Sequence, residues 1–191
     1  MARPAEFDRE DALVAAMQLF WRQGYGSTSL SQLLEAMGIG RSSFYAAFGD
    51  KRSLYIEALA LFARRTIAIL RDHTDMPPAQ RIHRFFTATL FEVPRHRAQR
   101  GCMMVNTVLE LADVDDDLCA MATAHLQHME TGFKRLLSAD GNSALPAADG
   151  ARYLMMINQG LRVAARQGRS RRELATMVDD ALALLGLVVS A

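Results

Sequence analysis

The chain lacks the features that mark several common classes of protein. It has only two cysteines, Cys102 and Cys119. They are too few for a disulfide framework and have no partners at zinc-site spacing, so a reducing, cytoplasmic setting is expected. Net charge is +1, with 22 basic residues against 21 acidic ones, so whole-chain charge selects no partner. No apolar run approaches the ~20 residues of a membrane-spanning helix. The longest, "ALALLGLVV" near the C-terminus, falls far short, and no membrane partner is expected. The opening "MARPAEFDREDALVAAMQLF" is charged and has no long uninterrupted apolar run, so no secretory signal is expected. Strand-like alternation is hard to find, and there is no internal repeat or low-complexity segment. No nucleophile elbow, phosphate loop or catalytic set stands out. The expectation is therefore a protein that is not an enzyme and needs no cofactor.

What the chain does have is helical period over almost its whole length. It is 50% hydrophobic and 23% charged, a globular balance over 191 residues. Leu13, Met17 and Phe20 share one face of a first helix that stops at Gly24. Leu30, Leu33, Leu34 and Met37 mark a short second helix, opened by a capping box of Ser29 with Gln32 or by Thr28, and closed by Gly38. A third follows at about 41–47 and a long fourth at about 51–71. Pro78 starts a fifth, running to about Glu92. The segment 93–101 reads as a basic loop. Four more helices are expected at about 102–111, 118–137, 147–167 and 171–188. The fold class is all-α, about nine helices, with a boundary placed between residues 1–52 and 53–191.

The stretch "GIGRSSFYAAFGDK", residues 38–51, carries the most chemistry. Phe44 and Phe48 are four apart and share one helix face. Together with Leu30, Leu33, Leu34 and Ile39 they give two short helices an apolar inner face around a glycine turn, which is a helix-turn-helix. In that motif the second helix lies in the major groove. Gly40, Ser42 and Ser43 are small enough for the backbone to approach DNA. Arg41 suits a guanine edge or a phosphate, and Tyr45 and Lys51 suit phosphate. Thr28 and Ser29 offer hydroxyls and helix-start N–H groups to another phosphate. Against this, residues 1–52 carry six cations and six anions, where a DNA-binding module is usually basic. A helical small-molecule-binding protein or enzyme, whose helix-turn-helix is only scaffold, is the rival of a different class.

Residues 15–55 resemble the N-terminal region of TetR-family transcriptional regulators. The likeness rests on "LF...GY..TS" at 19–29, "GIGRSSFYAAF" at 38–48 and "DK..LY" at 50–55. The resemblance implies a three-helix DNA-binding domain followed by a larger helical ligand-binding and dimerisation domain. It implies a homodimer that binds a near-palindromic double-stranded operator, acts as a repressor and is released by a small-molecule effector. Position by position it brings Thr28, Ser29, Arg41, Ser42, Ser43, Tyr45 and Lys51 near DNA. Ala46 and Ala47 depart from relatives that carry a histidine or a second aromatic there, which shifts base readout toward Arg41 and DNA shape.

The remainder is expected to supply a dimer seam and a pocket. The last two helices are the seam candidates, the final one carrying Leu174, Met177, Val178, Ala181, Leu182, Leu185, Leu187 and Val188. Eleven methionines recur beside aromatics, and flexible methionines suit a cavity for apolar molecules, though core filling explains any one of them. The ligand candidates are Phe62, Phe86, Met103, Asn106, Phe133 and Met155, with Asn158 and Gln159 as further polar neighbours. Cys102 has a second reading as a redox or electrophile sensor. It follows Gly101 at a helix start, close in sequence to Arg95, His96, Arg97 and Arg100, surroundings that favour thiolate. Asp113, Asp115 and Asp117 begin with calcium-loop spacing, but Leu118 and Ala124 stand where glycine and glutamate are required. A charged loop and helix N-cap is the better expectation. His125 and His128 share a helix face without a metal-ligand partner nearby.

Overall fold

The computed structural model describes residues 7–187, and these contain ten α-helices, one π-helical turn and no strand. In chain order they are α1 (Arg9–Gln23), α2 (Leu30–Met37), α3 (Arg41–Phe48), α4 (Lys51–Arg71), α5 (Pro78–Phe86), the π-turn (Thr87–Phe91), α6 (Arg95–Ala98), α7 (Met103–Leu111), α8 (Asp116–Asp140), α9 (Ala147–Arg166) and α10 (Arg171–Leu184). The nine expected helices are all present. The tenth is α6, a single turn inside the expected basic loop. The expected run from Pro78 to Glu92 changes pitch at Thr87, where backbone bonds widen from four-residue to five-residue spacing. The last helix stops at Leu184 rather than Val188, and Val188 lies outside the described residues.

The helix starts follow from side chains that accept first-turn N–H groups. Asp8 caps α1, Asp50 caps α4 and Asp115 caps α8. Ser29 rather than Thr28 closes the capping box of α2: its hydroxyl accepts from Gln32 N at 3.2 Å while Gln32 Oε1 accepts from Ser29 N at 2.9 Å. Ser170 and Glu173 form a second such box at α10. Gly38 ends α2 in the left-handed region, with φ 66° and ψ 28°, a conformation that a side chain would penalise.

Burial divides the chain into two cores, and the division does not follow the expected boundary at 52. The first core joins α1, α2, α3 and the front of α4 to α7 and the start of α8: Phe20, Leu33, Phe44, Leu54 and Leu59 pack with Met103, Met104 and Leu118. The second joins α5, the π-turn, the rest of α8, α9 and α10 around Phe85, Phe86, Phe133, Leu154 and Val178. The long helices α4 and α8 run through both cores. Each fully buried ring or leucine contributes roughly 1.5–3 kcal/mol, so both cores are substantial. None of the described helices is long and apolar enough to cross a membrane.

Candidate nucleic-acid interface

Helices α2 and α3 meet across the Gly38–Gly40 turn. The inner face of α3 is Phe44 and Phe48, at 0% and 3% exposure, with ring centroids 6.1 Å apart. Its outer face presents Arg41, Ser42, Tyr45 and Ala46 to solvent, with Ser43 half-buried. Tyr45 keeps its ring edge-on to Phe44 at 5.4 Å while staying 48% exposed, so the core sets the direction of the phenol. Gly40 opens α3 with no side-chain cap. Ala47 turns inward and its carbonyl accepts from Arg9 Nη2 at 3.1 Å. Of the two alanines, Ala46 is the one on the outer face.

Two cations of this region pair with carboxylates beyond it. Arg9 pairs with Glu57 at 2.8 Å, and Arg52 grips Asp115 through Nε and Nη2 at 2.9 and 3.0 Å and reaches Asp117 at 3.1 Å. Asp8 and Asp50 serve as caps, and hydrogen bonds from Ser53 hold the Asp50 carboxyl below its usual range. Arg41 makes no ion pair among the described residues. Arg3 and Glu6, which also enter the sequence count, lie outside those residues.

Two of the expected contact residues sit otherwise than their type implies. Thr28 is fully buried, and its hydroxyl donates to Gly24 O at 2.6 Å, so it shapes the turn before α2 instead of facing DNA. Lys51 lies over the Tyr25 ring at 4.5 Å; burial pulls its pKa down and Glu110 pulls it up. Ser29 is exposed at the start of α2, its hydroxyl engaged with Gln32.

The interface is held from behind by α7, which the expected boundary assigns wholly to the regulatory part. At the start of α7, Trp21 Nε1 donates to Gly101 O at 3.2 Å and Arg100 donates to Gln18 Oε1 at 2.7 Å. In its middle, the Tyr55 and Thr107 hydroxyls bond at 2.8 Å inside the core. Burial raises the Tyr55 phenol to about 12. At its end, Glu110 accepts from both Tyr25 N at 2.9 Å and Gly26 N at 2.7 Å. That carboxylate stands so close to the turn that a Cβ on Gly24 (φ 86°) would meet it at 2.5 Å. No motif flags Glu110; only the three-dimensional packing of α7 against α4 and α8 brings it to the turn.

The expected ligand residues fall into separate places. Phe62 meets Trp21 edge-on at 5.0 Å, and Met103 is buried in the first core. Phe86 and Phe133 stack at 6.3 Å in the second core, with Met155 buried nearby. Asn106 lines one of the described cavities, a groove of about 510 Å³ between α7 and α9, as does Gln159, while Asn158 is buried. Cys102 lines the same groove at 5% exposure. Three of the cations close to it in sequence turn elsewhere: Arg95 to Gly168 O, Arg100 to Gln18, and His96 to solvent. Arg162, from α9, lines the same groove as Cys102. Among the aspartates, Asp115 caps α8 and holds Arg52, the role of a loop and N-cap.

Comparison with known proteins agrees with this geometry. The model of the bacterial regulatory proteins of the tetR family matches residues 12–65. A solved structure of a cysteine mutant of the TetR family transcriptional regulator CifR, complexed with 26-bp double-strand operator DNA, is 30% identical. It superposes with a TM-score of 0.76 over 96% of this chain and 100% of that one. This chain belongs to the TetR family. Among curated TetR-type relatives, the HTH-type transcriptional repressor ComR of Escherichia coli K12 is 28% identical over 95% of this chain and 90% of its own length. The HTH-type transcriptional repressor NemR of the same organism is 27% identical over 62% of this chain and 61% of its own length. As a TetR family member the chain is a helix-turn-helix transcriptional regulator, and α2 and α3 are the pair the family model covers.

Proposed function

We propose that the chain is a homodimeric repressor that holds a near-palindromic operator through α3 and leaves it when a small effector binds. The observation that carries this reading is the outer face of α3, where Arg41, Ser42 and Tyr45 stand exposed on a helix locked by Phe44 and Phe48. The likeness to a relative solved on operator DNA supports it. Two copies of α3 about one DNA turn apart, ~34 Å, would enter successive major grooves. An effector releases DNA only if it binds the two states unequally. Helix α7 is the suited carrier, since one side bonds to the helix-turn-helix unit and the other lines the groove beside α9.

The test is a mobility-shift titration against DNA flanking the gene itself, at several salt concentrations. Wild type should bind specifically, with affinity falling steeply as salt rises. Replacing Arg41 by alanine should weaken specific binding by roughly tenfold to a hundredfold, the ~1–3 kcal/mol of one bidentate base contact. Absence of specific, salt-sensitive binding would leave the scaffold-only reading, a helical small-molecule-binding protein or enzyme.

A second reading has its own observation. Cys102 lies in the groove wall with the Arg162 guanidinium as its charged neighbour, an arrangement suited to a redox or electrophile switch. Cys102→Ser separates the two: release by oxidants or electrophiles should vanish in the variant, and its survival removes the thiol from the mechanism.

A further inference from the structure

Helix α3 is short and lightly tethered. At ~1.5 Å of rise per residue it spans only about 12 Å. Gly40 opens it without a side-chain cap. Phe44 and Phe48 seat its inner face in the core. At its far end, Gly49 N donates to Tyr45 O at 3.1 Å and Asp50 N to Phe48 O at 3.0 Å, both from the adjoining chain. The carbonyl between them, Ala47 O, has a partner from elsewhere. Arg9, the first residue of α1, donates to it through Nη2 at 3.1 Å. Among the described residues this is the only hydrogen bond that α3 receives from another helix.

Arg9 is itself fixed on two further sides. The same Nη2 donates to Oε1 and Oε2 of Glu57, on α4, at 2.8 and 2.9 Å. The guanidinium carbon lies over the Phe48 ring, 4.6 Å from its centroid. One guanidinium thus joins the start of α1, the end of α3 and the side of α4. A cation at a helix C-terminus also complements the helix dipole. The side chains of Arg9 and Glu57 are 50% and 35% exposed, and a surface ion pair of that kind adds little to stability. What the arrangement supplies is direction. Arg41 stands six residues before Ala47, ~9 Å along the helix axis. A tilt of about 10° at the Ala47 end would carry Arg41 ~1.5 Å sideways, whereas a binding constellation works only within about 0.5 Å of its proper geometry.

We propose that Arg9 is a positioning residue for sequence readout: held by Glu57 and laid on Phe48, it fixes the tilt of α3 and so sets how well the protein separates its operator from other DNA. The inference rests on the reading of α3 as the helix that enters the major groove. Three roles for Arg9 leave three different patterns. A tether that sets tilt acts on operator affinity and spares affinity for unrelated DNA, which has no base contacts to misalign. A direct phosphate contact raises both affinities together, and its loss takes about one off the salt slope. A purely structural role changes the active fraction, which scales both affinities alike.

The test uses the full chain and a duplex that the wild type selects from a random-sequence pool. Affinity for that duplex and for a scrambled one of equal length is measured by fluorescence anisotropy over a salt series, and the ratio of the two is the readout. Arg9→Ala should lower the ratio roughly threefold to tenfold, the range of one hydrogen bond, with the salt slope on scrambled DNA unchanged. Arg9→Lys keeps a charge and a donor for Ala47 O, and should recover part of the ratio. Glu57→Ala leaves Arg9 in place and removes a negative charge. By electrostatics alone it would tighten binding to both duplexes and keep the ratio; with Arg9 as a tether, the ratio falls. An unchanged ratio in Arg9→Ala or in Glu57→Ala overturns the proposal. If the salt slope on scrambled DNA also drops by about one in Arg9→Ala, the residue is a phosphate contact instead. A wild type that selects no sequence sinks the regulator reading and this inference with it, whereas a selecting wild type with unchanged ratios in the variants sinks this inference alone.

Discussion

At the scale of single residues, what the sequence does not convey is where a polar group points. Ser29 and Thr28 are adjacent hydroxyls with equal claims on the start of α2, yet one caps the helix and the other is buried on Gly24 O. Cys102 has four cations close to it in sequence, yet the arginines that share its groove, Arg162 and Arg166, come from α9. Glu110 carries no motif, and its two short bonds to Tyr25 N and Gly26 N are the most direct link between α7 and the reading unit. Each carboxylate oxygen takes one N–H. Glu110→Gln therefore leaves one N–H facing an amide NH2, at a cost of ~1–3 kcal/mol. Urea unfolding should show that loss, and operator affinity measured on the same protein should change with it. Unchanged stability would mean that the latch contributes nothing.

At the scale of elements, the helix-turn-helix is legible in the sequence because its signals are local. Glycines at 24, 38 and 49, a capping box and two phenylalanines four apart need no knowledge of the rest of the chain. The π-turn and α6 are not legible: pitch at Thr87 and a single turn at Arg95–Ala98 depend on packing against distant helices. The junction between α4 and α8 is another such long-range feature, and it titrates. The Arg52 side chain and the Leu118 N–H hold Asp115 down to about 2, from 3.8. A carboxyl depressed in the folded state stabilises it above its unfolded pKa, and that stability is lost as pH falls toward the folded value. Stability should therefore decline between about pH 4 and pH 2. Asp115→Asn keeps a good capping residue while removing the charge. It should flatten this decline in acid unfolding curves followed by circular dichroism, without abolishing it, because Glu173 is also held down to about 2 by Ser170 and Arg169. An unchanged acid limb would show that the Arg52 pair does not link α4 to α8 energetically.

At the scale of the whole molecule, one of the two cores draws on residues from both sides of residue 52. A reading unit of three helices is small enough for its core to be marginal alone, and here it shares that core with α7 and the front of α8. The other consequence is on the outside. Tyr153, Met156 and Val163 on α9 and Met177 and Leu184 on α10 remain exposed, at spacings that place each set along one side of its helix. The last two helices read as the seam because their apolar content exceeds what one core needs; burial of Leu174, Val178 and Leu182 accounts for one face of α10, and Met177 and Leu184 form the remainder. Two-fold pairing of these faces would cover the apolar stripe and fix the separation of the two α3 helices. Leu184 is 74% exposed, so Leu184→Glu tests the seam from α10 without disturbing the buried face of that helix. A charge buried at a two-fold seam faces its own copy, and like charges there repel. Sedimentation should show the variant shifted to monomer at concentrations where wild type is dimeric, with its melting curve little changed and its operator affinity sharply reduced. A variant that stays dimeric would move the seam away from α10.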